Sequence, residues 1–127
     1  MRKAIIIQLM TIIDFNNRVR EAFTAPSGYA TPYCIVKMGE ESPVPNNFKG
    51  SQQHFEIYIY GSPSSFVILD DLVLKVKQKL DKITLSTDES PARFFRPEFE
   101  RVLADWHDEE RNLLMKTLYF NYAMARH

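Results

Sequence analysis

Apolar and polar residues alternate most cleanly between Gln53 and Tyr60. Phe55, Ile57 and Ile59 fall on one side of an extended chain, and His54, Glu56, Tyr58 and Tyr60 on the other. A strand with one core face and one tyrosine-rich polar face follows. A second pattern surrounds it. Ile5, Ile6, Leu9, Ile12 and Ile13 recur at helical offsets and predict a core-facing helix from about Lys3 to Phe15, broken at Asn16-Asn17. Leu69, Leu72, Val73, Val76 and Leu80 predict a longer helix that starts within Gly61-Ser62-Pro63-Ser64-Ser65 and runs to about Asp81. Asp70 and Asp71 lie near its start and Lys75, Lys77, Lys79 and Lys82 near its end, matching the sign of the helix dipole.

The remaining segments are read more coarsely. Arg18 to Phe23 alternates as a short strand, and Ala25-Pro26-Ser27-Gly28 is loop material. Tyr33 to Met38 is β-branched and aromatic, which predicts a strand ending at Gly39. Glu40 to Gly50, with Pro43, Pro45 and Asn46-Asn47, predicts a long exposed loop, and Ser86 to Ala92 another. Phe94 to Trp106 fits a helix (Phe95, Phe99, Val102, Leu103, Trp106) and a strand alike: periodicity favours the helix, while the aromatic content and the turn after it favour the strand. Asp105 to Arg111 reads as a charged turn, and Asn112 to Met124 as a long final strand. Together these predict one α+β domain over residues 1–127. Its antiparallel sheet has about four to five strands, packed with an N-terminal helix and one long central helix.

Composition removes several classes. The chain has 127 residues, 45% hydrophobic and 25% charged, a globular balance that excludes disordered and disulfide-scaffold classes. Sixteen basic and sixteen acidic residues cancel, so the bulk positive charge that drives phosphate-backbone binding is missing, and no sequence-specific nucleic-acid binding is expected. Cys34 is the single cysteine, which suits a reducing compartment and an inert buried thiol. The run Ala4-Ile5-Ile6-Ile7 behind Arg2-Lys3 is interrupted at Gln8, and no stretch reaches the ~18 apolar residues of a membrane span. A soluble cytoplasmic protein without membrane partners is expected.

The residues with chemical potential are few. His54 and Glu56 share a strand face, a spacing a metal could exploit, although a solvated sheet face is the simpler reading. Asp105-Trp106-His107-Asp108-Glu109-Glu110 is the densest polar cluster, yet its spacing closes no four-coordinate site. Trp106 reads as an anchor, in the core or at an interface. Asp70-Asp71 is a carboxylate pair in sequence only, because neighbours on a helix point apart. No Gly-rich phosphate loop or nucleophile elbow occurs. No catalytic residue, cofactor or metal is expected.

The order of elements carries more information than any motif. The strand "TPYCIV", the strand-to-helix junction "HFEIYIYGSPSS" and the final "DWHDEERNLLMKTLYFNY" follow an apolar helix and an Asn-Arg-Val segment. In this order the chain resembles the tail-terminator, or tail-completion, proteins of long-tailed bacteriophages and prophages, along nearly its whole length. The resemblance implies a non-enzymatic virion assembly protein, located in the virion tail and in the host cytoplasm during assembly. Such a protein forms a homo-oligomeric ring, commonly a hexamer, on the last layer of the tail tube. The ring halts polymerisation of the tail tube protein and offers a surface to the head-completion or connector protein. It also implies strand instead of helix for Phe94 to Leu103. Tyr58, Tyr60, Asp105, Trp106 and His107 are then candidate interface residues, with Glu40 to Gly50 and Asp105 to Arg111 as contact segments by exposure. Two other classes fit the same residues: a small intracellular α+β domain docking a peptide or metabolite on the Tyr58/Tyr60 face, and a metal-dependent enzyme using His54 or His107.

Overall fold

The computed structural model describes residues 2–15, 18–21, 31–43, 50–62, 66–87, 94–103, 105–109 and 112–125. The helix α1 spans Arg2–Met10 and buries Ile5 and Leu9 completely. It stops sooner than its stripe predicts. A 3-10 turn at Ile13–Phe15 re-phases the chain to three residues per turn, so Ile12 and Phe15 enter the core while Ile13 turns outward, 88% exposed.

The short strand β1 (Val19–Glu21) leads to β2 (Tyr33–Pro43) and β3 (Gly50–Gly61). Part of the expected loop at Glu40 to Gly50 is therefore ladder, with Glu40 to Pro43 in β2 and Gly50 in β3. β2 continues past Gly39 through a register shift between Met38 and Glu41, and only residues 44–49 of that loop lie outside the described chain. A side chain at Gly39 would place its Cβ 2.9 Å from the His54 carbonyl oxygen, which explains the glycine in mid-strand.

The long helix α2 (Phe66–Leu80) buries Leu69, Leu72, Val76 and Leu80, with Val73 half-buried beside them. The expected serine and proline start at residues 63–65 lies outside the described residues. After α2 the chain forms β4 (Leu85–Ser86), β5 (Phe94–Phe95), β6 (Glu98–Val102), β7 (Trp106–Asp108) and β8 (Leu113–Ala125). The segment that fitted both templates is strand, in three pieces. Ser86, expected in a loop, pairs with Phe94 in a separate two-stranded ribbon.

The main sheet has six strands in the order β1-β2-β3-β8-β6, with β7 beside β6 on the same edge of β8. The α+β class is as expected, with a higher strand count. One pair departs from the antiparallel expectation: β1 runs parallel to β2, with Val19 opposite Cys34. Residues 22–32 separate these strands, far more than a tight hairpin turn uses and near the length of a crossover.

Both helices cover one face of the sheet. Val36, Phe55, Ile57, Ile59, Leu118 and Phe120 point into that layer, and Phe55 stacks on Phe120 at 5.1 Å. α1 lies over β1 and β2, and α2 over β3, β8 and β6. The end of α2 is fastened to β6: the Lys82 N–H donates to the Pro97 carbonyl at 2.7 Å, and the Phe99 N–H donates to Asp81 Oδ1 at 2.8 Å. Cys34 is fully buried in the core, where desolvation pushes its thiol pKa up and keeps it protonated.

Candidate interaction surface

The sheet face turned away from the helices is built by the period of two along β2, β3 and β8. Its cross-strand rows follow from the register. Tyr33, Tyr60, Met115 and Trp106 form one row, and Ile35, Tyr58 and Thr117 the next. The rings of Tyr33 and Tyr60 stack at 4.7 Å, and Tyr33, Ile35 and Thr117 are buried although neither described helix packs on this face.

Tyr58 is half-buried, and its hydroxyl donates to the Glu56 carboxylate. Burial first, and then the bond to an anion, push its pKa up, so it stays a neutral donor. The next two rows are charged. Glu56 lies opposite Tyr119, whose ring carries the Arg101 guanidinium 4.7 Å from its centroid, and His54 Nδ1 stands 3.9 Å from Glu100 Oε2. The face therefore grades from aromatic to charged along the strands.

The edge at β6 and β7 holds the other candidates. Trp106 is 53% exposed, so it is no core residue. It shares its face and row with Met115, and Leu103 and Val102 expose apolar surface close by in sequence. Asp105 points to the opposite side, where Lys116 holds it together with Asp70. Lys116 is only 13% exposed and sits on the core-facing parity of β8, opposite Ile59. Burial disfavours its charge, but hydrogen bonds from its ammonium to Asp105 and Asp70 hold its pKa above the ordinary lysine value. His107 is exposed, with Nε2 3.3 Å from Asn112 Oδ1. Asn112 has φ 53°, a left-handed geometry that asparagine tolerates, and it closes the turn into β8.

The expected charged turn at Asp105 to Arg111 is thus narrower. Trp106–Asp108 is a strand paired with Leu113–Met115, because edge pairing to β8 satisfies its backbone groups. The structure brings Tyr60 and Trp106 into one row and separates them from His107, which faces the other way. His54 and Glu56 point to different partners. Asp70 and Asp71 also diverge, Asp70 to Lys116 and Asp71 to Lys75 at 3.1 Å. Among the described residues no three His, Cys, Asp or Glu side chains converge on one point, and no described helix is long and apolar enough to cross a membrane. Sequence reasoning missed Lys116. Its signal was a lysine in phase with Leu114, Leu118, Phe120 and Tyr122, a position that demands an anionic partner.

No family model and no curated protein matches the chain. A solved structure does. A chain from the virion of a native gene transfer agent particle superposes with a TM-score of 0.69 at 16% sequence identity. The match covers 97% of this chain and 92% of that one. The likeness is one of fold.

Proposed function

We propose that this chain is a virion assembly protein of the tail-terminator type, which caps the tail tube as a closed homo-oligomeric ring, commonly a hexamer. The ring stops addition of tail tube subunits and presents its far side to the head-completion or connector protein. The observation that carries the reading is the fold shared, almost end to end, with a chain of a gene transfer agent virion. The sequence resemblance to tail-completion proteins points the same way, through "PYCIV", "YIYGS" and "DWHDEE" in the same order.

The surfaces support a structural task. Trp106, Leu103 and Val102 leave an apolar edge in water, and Tyr58 and Tyr60 offer amphipathic rings of the kind enriched at interfaces. The role asks no chemistry of the chain, only shape and contact.

The test adds the protein to polymerising tail tube subunits and images the products. Tubes of limited length with ring-shaped density at one end are expected. Tubes that elongate unchanged, with bare ends, would refute the role.

A further inference from the structure

The two lateral sides of the sheet carry opposite charge. Residues 2–21, which form α1, the 3-10 turn and the β1 edge, hold four basic and two acidic residues. Residues 98–109, which form the β6 and β7 edge, hold one basic and five acidic residues; Lys116 neutralises Asp105, which leaves four carboxylates against Arg101. These segments lie at opposite ends of the strand order, since α1 packs over β1 and β2 while β6 and β7 border β8. Zero net charge conceals this polarity.

Each side also exposes apolar surface. On α1, Gln8 turns toward α2 and donates from Nε2 to the Lys79 carbonyl at 3.1 Å. At 100° per residue the flank facing away from α2 is then Ile6 and Met10, both half-buried, with Ile7 beside them at 55% exposure. The opposite side presents Trp106 and Leu103. A two-fold contact would pair each patch with itself and set like charge against like. A heterologous contact pairs basic with acidic and apolar with apolar.

We infer that the occupant of the β6–β7 edge is a second copy of this chain, docked through its α1–β1 side in a head-to-tail contact. The inference deepens the ring reading above and names the two surfaces that would repeat around the axis.

Cysteine cross-linking tests it, because Cys34 is buried and does not compete for reagent. Ile7→Cys and Leu103→Cys both alter exposed side chains, so folding should survive. The double variant, treated with a bismaleimide in solution and on capped tubes, should give a ladder of covalent oligomers. Either single variant alone should give none, and a mixture of the two singles should give dimers. Adding Glu100→Lys and Glu109→Lys to the double variant should cut the ladder about tenfold through like-charge repulsion. Covalent dimers from a single variant, no ladder from the double variant, or a ladder indifferent to the charge reversal would each overturn the inference. Capping by the wild-type protein, scored separately, isolates the two ideas: capped tubes without a ladder remove this interface alone, whereas a ladder without capping removes the terminator role alone.

Discussion

Lys116 Nζ, in the middle of the last strand, lies 2.9 Å from Asp70 Oδ1 near the start of the long helix, and the same ammonium holds Asp105 just ahead of Trp106. One nearly buried cation thereby ties helix, sheet and edge strand together. Lys116→Met keeps most of the volume and removes the charge. Two carboxylates, both largely solvated, lose their partner, so the cost in stability should be about 1 kcal/mol. The larger effect should be local: amide exchange at Trp106–Asp108 should quicken more than at Phe55–Ile59. Because the folded-state pKa of Lys116 is raised, its contribution is complete below the ordinary lysine value of 10.5 and disappears only as pH rises through the higher folded value. The difference in urea midpoint between wild type and Lys116→Met should therefore stay constant through neutral pH and close in strong alkali.

Asp14 gives the opposite sign. Its pKa is lowered, chiefly by the hydrogen bond it accepts from Lys75 at 2.9 Å. That contribution is present above the ordinary value of 3.8 and is lost as pH falls through the lower folded value. Asp14→Asn should destabilise the protein at neutral pH, and its deficit should vanish in acid. Denaturant titrations of both proteins across the acid range check this, and a deficit that persists at the lowest pH would rule it out.

Ile57 is completely buried, opposite Val36 on one neighbour and Leu118 on the other. Ile57→Ala should cost roughly 2–5 kcal/mol, the range for a large-to-small change with incomplete relaxation. Tyr58, on the far face and half-exposed, should cost clearly less when truncated to Ala in the isolated chain. Equilibrium unfolding of the two variants ranks them, and the reverse order would mean the strand's faces are exchanged.

Gly61 ends β3 where α2 crosses back over the sheet. A Cβ there would lie 2.7 Å from Leu69 Cδ2 and 3.0 Å from its Cγ. Leu69 is itself buried and has little room to withdraw. Gly61→Ala should cost about 1–3 kcal/mol by overpacking, and Leu69→Ala in the same chain should recover part of that loss. A double-mutant cycle measures the recovery.

The elements readable in the sequence are those whose burial repeats. β3 alternates because one face meets the helices, and α2 shows its stripe because one side lies on the sheet, so Phe55, Ile57, Ile59, Leu69, Leu72, Val76 and Leu80 were legible at once. The edge was not. β7 is too short to show a period, and although Arg18 to Phe23 read as a short strand, the parallel direction of β1 and its partner are fixed by long-range pairing. Phe94 to Trp106 stayed ambiguous between helix and strand for a related cause. Phe95 and Phe99 are inward residues of two different strands, and their four-residue spacing only imitates a helix. Tyr58 and Tyr60 were legible as outward aromatics from the strand's alternation, whereas Trp106 stayed open between core and interface. The row that joins Tyr60 to Trp106 through Met115 was set by register, which no local pattern encodes.

Trp106 separates folding from assembly. In the isolated chain about half of its surface is already in water, and its packing is confined to one side of a short edge strand. Trp106→Ala should therefore cost about 1–2 kcal/mol of unfolding free energy, less than the roughly 3–5 kcal/mol of a fully buried tryptophan, since about half of the side chain is already in solvent. At an interface the same truncation removes an aromatic anchor whose loss is typically worth at least 2 kcal/mol, a weakening of roughly 30-fold or more in association. The variant should melt modestly below wild type, show the same far-ultraviolet dichroism, and fail to cap tail tubes at concentrations where wild type caps them all. His107→Ala, one residue along and facing the other way, should melt and cap nearly as wild type does. If Trp106→Ala caps normally, the β6–β7 edge is not the contact surface. If it unfolds, the tryptophan belongs to the fold after all, and the exposed edge must be assigned to Leu103 and Val102 alone.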